Sequence, residues 1–271
     1  MTSTNNEDYR LIDKGSNKTI KSIKALKMKK YRDKYGLFVL EGKRLVDEAI
    51  DSPLKIRLLI ISETNLGQVD DYRQRAKDKE IQLLVVSDQV FSSISDTKTP
   101  QGYMAIAEKT TRDIYEQLRA TSGFFLILDG IRDPGNLGTI IRTADAAGLE
   151  GVILVNKCAD IYSPKVIRAT MGSILRVPVY VDNEDLGLIR QLRAQGYQIV
   201  ASHLNGDDLY SCEKAAKKLG LIIGSEDQGV SQDLLDLSDR LVKIPMPGGA
   251  ESLNAAVAAG ILVYEFYRKG L

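Results

Sequence analysis

The sequence contains no tryptophan, a single histidine and only two cysteines. With His203, Cys158 and Cys212 as the whole supply, no Cys/His cluster can be assembled around a transition metal, and no metal is expected. The two cysteines stand alone in sequence and read as ordinary thiols. No apolar run approaches the roughly 18 residues that a membrane span needs. The opening residues, MTSTNNEDYR, lack an apolar signal core, so a cytoplasmic location is expected. An excess of either charge is also missing. Lys and Arg total 37 against 36 Asp and Glu, so the chain as a whole is not an obvious polyanion binder. What is present is ample core material: 44% of 271 residues are hydrophobic, enough for one large core or two small ones.

Charge that balances globally is concentrated locally. Residues 14–34 carry nine cations (Lys14, Lys18, Lys21, Lys24, Lys27, Lys29, Lys30, Arg32 and Lys34) and one acid, Asp33. Ile20, Ile23 and Leu26 recur every three residues beside Lys21, Lys24 and Lys27. The spacing predicts a helix with a narrow apolar stripe next to a basic one. Such a face either contacts phosphates or is simply solvated. The excess of cations favours RNA, with Lys21, Lys24, Lys27 and Arg32 as candidate contacts.

Strand and helix signals then alternate. Gly36–Leu40, Ile56–Ile61, Ile81–Val86 and Tyr103–Ala107 read as strands, and Lys43–Ile50, Asp70–Lys79 and Gln89–Ile94 as helices. This predicts a small α/β domain over residues 1–110, then a charged linker over 111–122. A second alternation fills residues 123–271. Its candidate strands are Phe124–Leu128, Val152–Val155, Leu175–Val181, Gln198–Ser202, Leu221–Gly224 and Leu241–Ile244. Its candidate helices are Leu137–Ala147, Pro164–Met171, Leu186–Gln195, Glu213–Lys218, Gln232–Leu237 and Leu253–Tyr267. The pattern predicts a mostly parallel sheet covered on both faces.

Three segments at strand ends carry the chemistry. The first runs from Asp133-Pro134-Gly135-Asn136 to Arg142-Thr143-Ala144. Asn136 reads as a helix N-cap, and Gly138 leaves room beside Arg142 for a bulky partner. The bland alternative is a capped helix with Arg142 paired to Asp145. The segment is not G-x-G-x-x-G, so the dinucleotide fingerprint is missing. The second segment, Leu221 to Val230, ends a buried strand in Gly224, two acids (Glu226 and Asp227) and Gly229. Glycines there permit tight turns and close approach to a ligand, although an ordinary strand-to-helix loop would look the same. The third is Val242-Lys243-Ile244-Pro245-Met246-Pro247, a glycine loop, then Ser252-Leu253-Asn254. Ser252 reads as the N-cap of a helix rich in small residues.

Together and in this order, the three segments resemble the motifs of the SpoU/TrmH family, within the SPOUT superfamily of methyltransferases. The matching residues are Asn136, Gly138, Arg142, Thr143 and Ala144, then Gly224, Glu226 and Gly229, then Ile244, Pro245, Met246, Ser252, Leu253 and Asn254. The resemblance spans about Phe124–Tyr267. One departure is Asp227, where the family often has glycine. The N-terminal half is similar to the substrate-binding domain of many members, which itself resembles a ribosomal RNA-binding protein. It matches at Asn17, Ile20, Lys21, Tyr31, Arg32, Phe38, Glu41 and Gly42, and at Thr99-Pro100-Gln101-Gly102.

The resemblance implies a C-terminal α/β fold with a parallel sheet and a trefoil knot, homodimers formed through that domain, and S-adenosylmethionine as cofactor. The cofactor is expected near Gly224, Ile244, Met246 and Leu253. The acceptor ribose is expected among Asn136, Arg142, Glu226, Ser252 and Asn254. The implied reaction is methyl transfer to a ribose 2′-hydroxyl of structured RNA, rRNA ahead of tRNA. The family assigns Arg142 the general-base role, but a guanidinium has no acceptor site, which favours electrostatic stabilisation. His203, at a strand end, either lines the site or is an ordinary surface or core histidine. Two rivals stand beside this reading: a catalytically idle RNA-binding or ribosome-assembly protein, and a nicotinamide-dependent dehydrogenase.

Overall fold

The computed structural model describes residues 11–110, 114, 118, 122–182, 185–211 and 216–270. The chain divides into two compact units, residues 1–110 with 162–164, and residues 111–161 with 165–271.

The first unit is built on a five-stranded sheet. Its spatial order is β1 (Leu11–Ile12), β4 (Gln82–Val86), β3 (Ile56–Ser62), β5 (Tyr103–Glu108) and β2 (Leu37–Glu41). The pairs β1/β4 and β4/β3 are parallel, while β5 runs antiparallel to both β3 and β2. Along β3, successive residues Leu58, Leu59, Ile60 and Ile61 are all buried, so both faces of the sheet are covered. Helices α1 (Lys18–Ala25) and α5 (Asp88–Ile94) bury Ile20, Ile23, Val90 and Phe91 with Leu58, Ile60, Met104 and Ile106 on one face. Helices α3 (Lys43–Asp51) and α4 (Val69–Asp78) pack on β2, β5 and β4.

The basic segment is two helices, where its periodicity predicted one. Asn17 caps α1 by accepting from Thr19 N at 2.8 Å, and α1 ends at Leu26; α2 covers Lys29–Tyr35. The break follows from Arg32. Its Nη1 donates to the carbonyls of Leu26 and Lys27, both at 2.8 Å, and so occupies acceptors that a continuous helix would need for its own backbone.

The second unit carries a six-stranded sheet in the order β11 (Arg240–Lys243), β9 (Gln198–Asp208), β10 (Lys218–Gly224), β6 (Gly123–Asp129), β7 (Gly151–Val155) and β8 (Val179–Val181). Every pairing in it is parallel. Helices α8 (Gly187–Ala194) and α9 (Gln232–Asp236) bury Ile189, Leu192 and Leu234 against Phe125, Ile127, Ile199 and Ile222. Helices α6 (Pro134–Ala146) and α10 (Ala255–Arg268) pack on each other, with α6 also against β7 and α10 against β10. Helix α7 covers Pro164–Ala169. Ile114 and Leu118, within the segment read as a linker, are buried in this unit's core.

Three elements differ most from expectation. The strand expected over Leu175–Val181 is confined to Val179–Val181, because Pro178 cannot donate to a ladder and Ser173–Leu175 is a 3-10 turn. The strand expected over Gln198–Ser202 runs on to Asp208. It can do so because Gly206 lets the β11 backbone approach; a Cβ there would lie 2.5 Å from Val242 N. Of the helix expected over Glu213–Lys218, residues 213–215 lie outside the described residues, as does Cys212, and Lys218 begins β10.

Strands β7 and β8 lie to one side of β6, and β10, β9 and β11 to the other. The sheet therefore has a switch point at β6/β10, and in open α/β sheets ligands bind beyond the carboxyl ends of strands at such points. All three chemistry-bearing segments follow carboxyl ends, of β6, β10 and β11.

Candidate active site

Segment one leaves β6 and enters α6. Its cap is Asp133, not Asn136: Asp133 Oδ1 accepts from Asn136 N at 2.7 Å, with Pro134 in the first turn. The Asp-Pro pair was itself the local signal for this. Because Asn136 is relieved of capping, its side chain turns outward, and Nδ2 donates to Glu226 Oε1 at 2.5 Å.

Gly138 does not hold space open for a ligand. A Cβ there would sit 2.3 Å from Ala169 Cβ and 3.0 Å from the Ala169 carbonyl carbon, so the glycine lets α6 and α7 touch. Arg142 is exposed and makes no hydrogen bond or ion pair among the described residues. Asp145, its partner in the bland alternative, is taken by Arg176 Nη2 at 2.7 Å and Ser173 Oγ at 2.8 Å.

Segment two closes on itself at the end of β10. Gly229 N donates to Ser225 O at 2.9 Å, and a Cβ on Gly224 would lie 2.1 Å from the Gly229 carbonyl carbon. Gly229 takes a φ of +67°, which a side chain would oppose. The far side of this loop is tethered by Asp129, the last residue of β6. Its carboxylate is buried and accepts from Ser231 N at 2.6 Å and Asn156 Nδ2 at 2.8 Å. Neither Asp129 nor Asn156 was singled out from sequence, although an acid ending the apolar strand GFFLILD was a visible signal. Nearby, burial pushes the Cys158 thiol up to about 11.

Segment three delivers Asn254, rather than Ser252, as the N-cap of α10. Asn254 Oδ1 accepts from Ala256 N at 3.0 Å and Val257 N at 3.3 Å. Its Nδ2 donates to Asn136 Oδ1 at 2.9 Å and to Glu226 Oε1 at 3.1 Å, and Ala255 N adds a third donor to the same carboxylate oxygen at 3.0 Å. The buried small side chains Ala255, Ala256 and Ala259 let α10 settle closely enough for this.

Glu226 is thus the meeting point of the three segments. Its Oε1 is saturated by three donors, while Oε2 accepts from nothing among the described residues. Beside it opens a cavity of about 370 Å³, within the usual range of small-molecule sites. Gly224, Ile244, Met246 and Leu253, the expected cofactor residues, all line it. So do Glu226, Ser252 and His203, whose Nδ1 accepts from Asn205 N at 3.2 Å. Asn136 and Asn254 bear on it through Glu226. Arg142 belongs to neither the cavity wall nor the network, lying about 9 Å farther along α6 than Asn136.

In the first unit Lys21 is exposed and Lys24 half-buried. Lys27 is exposed, but its Nζ donates to Ser95 O at 2.6 Å. Arg32, expected at a phosphate, is instead 3% exposed and spent on the backbone carbonyls that separate α1 from α2.

Residues 123–264, more than half of the chain, match the SpoU rRNA Methylase family. The chain belongs to that family. As a SpoU methylase it is a methyltransferase, which removes the dehydrogenase rival. Residues 17–105 match the MRM3-like substrate binding domain. Among curated proteins, the 23S rRNA (guanosine(2553)-2′-O)-methyltransferase RlmP of Bacillus subtilis is 36% identical over 93% of this chain and 97% of its own length. Among solved structures, the AdoMet-bound rRNA methyltransferase from Sinorhizobium meliloti superposes with a TM-score of 0.88 at 37% identity, covering 97% of this chain and 99% of that one. The SpoU methyltransferase AviRb from Streptomyces viridochromogenes, in complex with AdoMet, gives 0.82 at 27% identity over 93% and 97%.

Proposed function

We propose that this SpoU methylase transfers a methyl group from S-adenosylmethionine to a ribose 2′-hydroxyl of rRNA, with tRNA as the alternative substrate. The observation that carries the reading is the convergence of three strand-end segments on Glu226 at the rim of a ligand-sized cavity. The cavity suits the cofactor. Gly224 lets its own loop close against Gly229 at the cavity wall, and Ile244, Met246 and Leu253 offer an apolar surface for an adenosine. When bound, S-adenosylmethionine supplies an electrophilic methyl on a good leaving group.

The residues of the chain then have to place the hydroxyl and manage its proton. Asn136, Asn254 and Ala255 N hold Glu226 by Oε1, which leaves Oε2 as the acceptor for the ribose hydroxyl. Ser252, on the cavity wall, offers a further hydroxyl to the bound ribose. Arg142 stabilises the forming alkoxide and grips the adjacent phosphate. Its separation from the network in one copy supports a site shared between two, in a homodimer formed through the second unit. Val257, Tyr264 and Tyr267 on α10, each about half exposed, supply an apolar face for that contact. The trefoil knot that the SpoU/TrmH resemblance implies would lie in this second unit, whose parallel sheet sets β10 between β9 and β6. The lysines of α1 dock phosphates, and the 2′-hydroxyl itself selects RNA over DNA. No described helix is long and apolar enough to cross a membrane, and the work is assigned to the cytoplasm.

Purified protein with methyl-labelled S-adenosylmethionine and total RNA should label rRNA at ribose. Cofactor binding without transfer to any RNA would leave the idle RNA-binding reading in its place.

A further inference from the structure

Among the described aromatic side chains of the first unit, Phe38, Tyr72, Phe91 and Tyr103 are buried in its core, and the half-buried Tyr162 packs on Phe38. Tyr31 and Tyr35 are not in that core: Tyr31 is half-buried, and Tyr35 is 48% exposed on the last turn of α2. Spaced four apart, they lie on one helix face with their rings nearly parallel, 17° between planes and 6.1 Å between centroids. Lys34 lies over the Tyr35 ring with its Nζ 5.5 Å from the centroid, and Lys29 and Lys30 are exposed on the same helix. The one acid of α2, Asp33, is neutralised by Lys109, a contact that also holds its carboxyl below the ordinary aspartate range. Arg32 anchors α2 from beneath through the Leu26 and Lys27 carbonyls. The result is a stacked aromatic pair on an anchored helix with its cations facing solvent.

We propose that Tyr31 and Tyr35 form a stacking platform for an unpaired RNA base, with Lys29, Lys30 and Lys34 on the flanking phosphates. This rests on the reading of the first unit as an RNA-docking module, and deepens it: the RNA offered there is single-stranded at the point of contact. Parallel rings extend by adding another ring, and a base supplies one whatever its identity. Lysines whose one neighbouring acid, Asp33, is already paired to Lys109 suit a polyanion and not an acidic-and-apolar protein surface. A duplex keeps its bases stacked internally and has none to offer.

The absence of tryptophan makes the test direct, because Tyr35→Trp introduces the chain's only indole. Titration with an oligouridylate single strand should quench its fluorescence, and blunt duplex RNA should leave it unchanged while still binding by anisotropy. In the otherwise native protein, Tyr35→Leu should weaken oligouridylate binding about tenfold, and Tyr35→Phe should hold it near the native value. The salt slope should be the same in both, since no charge is lost; Lys29→Ala/Lys30→Ala should lower it. Indole fluorescence that does not respond to bound oligouridylate would overturn the platform, as would equal losses on single strand and duplex. Methyl transfer by the same preparations reports separately on the enzymatic reading, which survives a failed platform if transfer persists.

Discussion

Substituting Gly138 by alanine decides between two uses of the same glycine. Read from sequence, its missing side chain leaves space for a ligand beside Arg142. In the structure that space is filled by Ala169. The new Cβ would lie 2.3 Å from Ala169 Cβ and 3.0–3.1 Å from Ala169 backbone carbons. Carbon atoms settle at about 3.5–4.0 Å, so α6 and α7 must separate by roughly 1 Å or more. Both neighbours are main chain or a methyl on it, with no rotamer through which to escape. Overpacking of this kind costs about 1–3 kcal/mol, and a unit of this size loses about 2–4 °C per kcal/mol. Gly138→Ala should therefore lower the melting temperature by between about 2 and 12 °C, followed by circular dichroism. The shift of α6 also strains the 2.5 Å Asn136–Glu226 bond, so turnover should fall with stability. A variant that melts like the native protein but loses RNA turnover would refute the packing account and restore the ligand-space reading.

Asn254→Asp keeps a capping oxygen but removes both Nδ2 donors and sets a second carboxylate beside Glu226, so it should melt within a degree or two of native yet lose turnover; Asn254→Ala should additionally cost about 1 kcal/mol of stability. If the two variants behave alike, the network adds nothing beyond the cap. Arg142→Ala should abolish methyl transfer while sparing S-adenosylmethionine binding, and mixing it with Glu226→Ala should restore partial activity if the site is shared between copies; persistent inactivity of the mixture would argue for a site within one copy. Asp129→Ala leaves Ser231 N without its buried acceptor, while the exposed Asn156 Nδ2 keeps Ser231 Oγ, so it should cost about 1–2 kcal/mol and raise the cofactor Kd, with Asp129→Asn milder on both measures. A Kd unchanged in both variants would show that the tether does not set the Gly224–Gly229 loop. With the folded-state value of Cys158 raised to about 11, the neutral thiol is favoured by folding, so its contribution to stability holds below the unfolded value of about 8.5 and is lost as pH climbs towards 11. At pH 8 iodoacetamide should leave the Cys158 peptide unmodified until urea is added; rapid labelling of the native protein would contradict its burial.

Much of this protein is decided locally, and what is local was legible. Strand runs such as GFFLILD and GVILV, the turn residues after them, and the order of three polar segments all follow from short-range propensity and hydrophobic period. The same reasoning went astray where another residue, local or tertiary, outbid the obvious candidate. Asn136 looks like a cap by type, but Asp133 takes the cap and frees it for Glu226. Ser252 looks like a cap, but Asn254 caps while also reaching across to the same carboxylate. Arg142 and Asp145 have good helical spacing for a pair, yet Arg176 and Ser173 claim the acid. Arg32 counts as a surface cation by composition and is buried on two carbonyls. The candidate residues for a methyl-transfer site and its RNA were thus present in the linear order of residues. That Glu226 gathers Asn136, Asn254 and Ala255 was decided only in three dimensions. Asn136 and Asn254 are 118 positions apart, and only the packing of α10 across β10 and onto α6 brings their donors within hydrogen-bond reach of one oxygen.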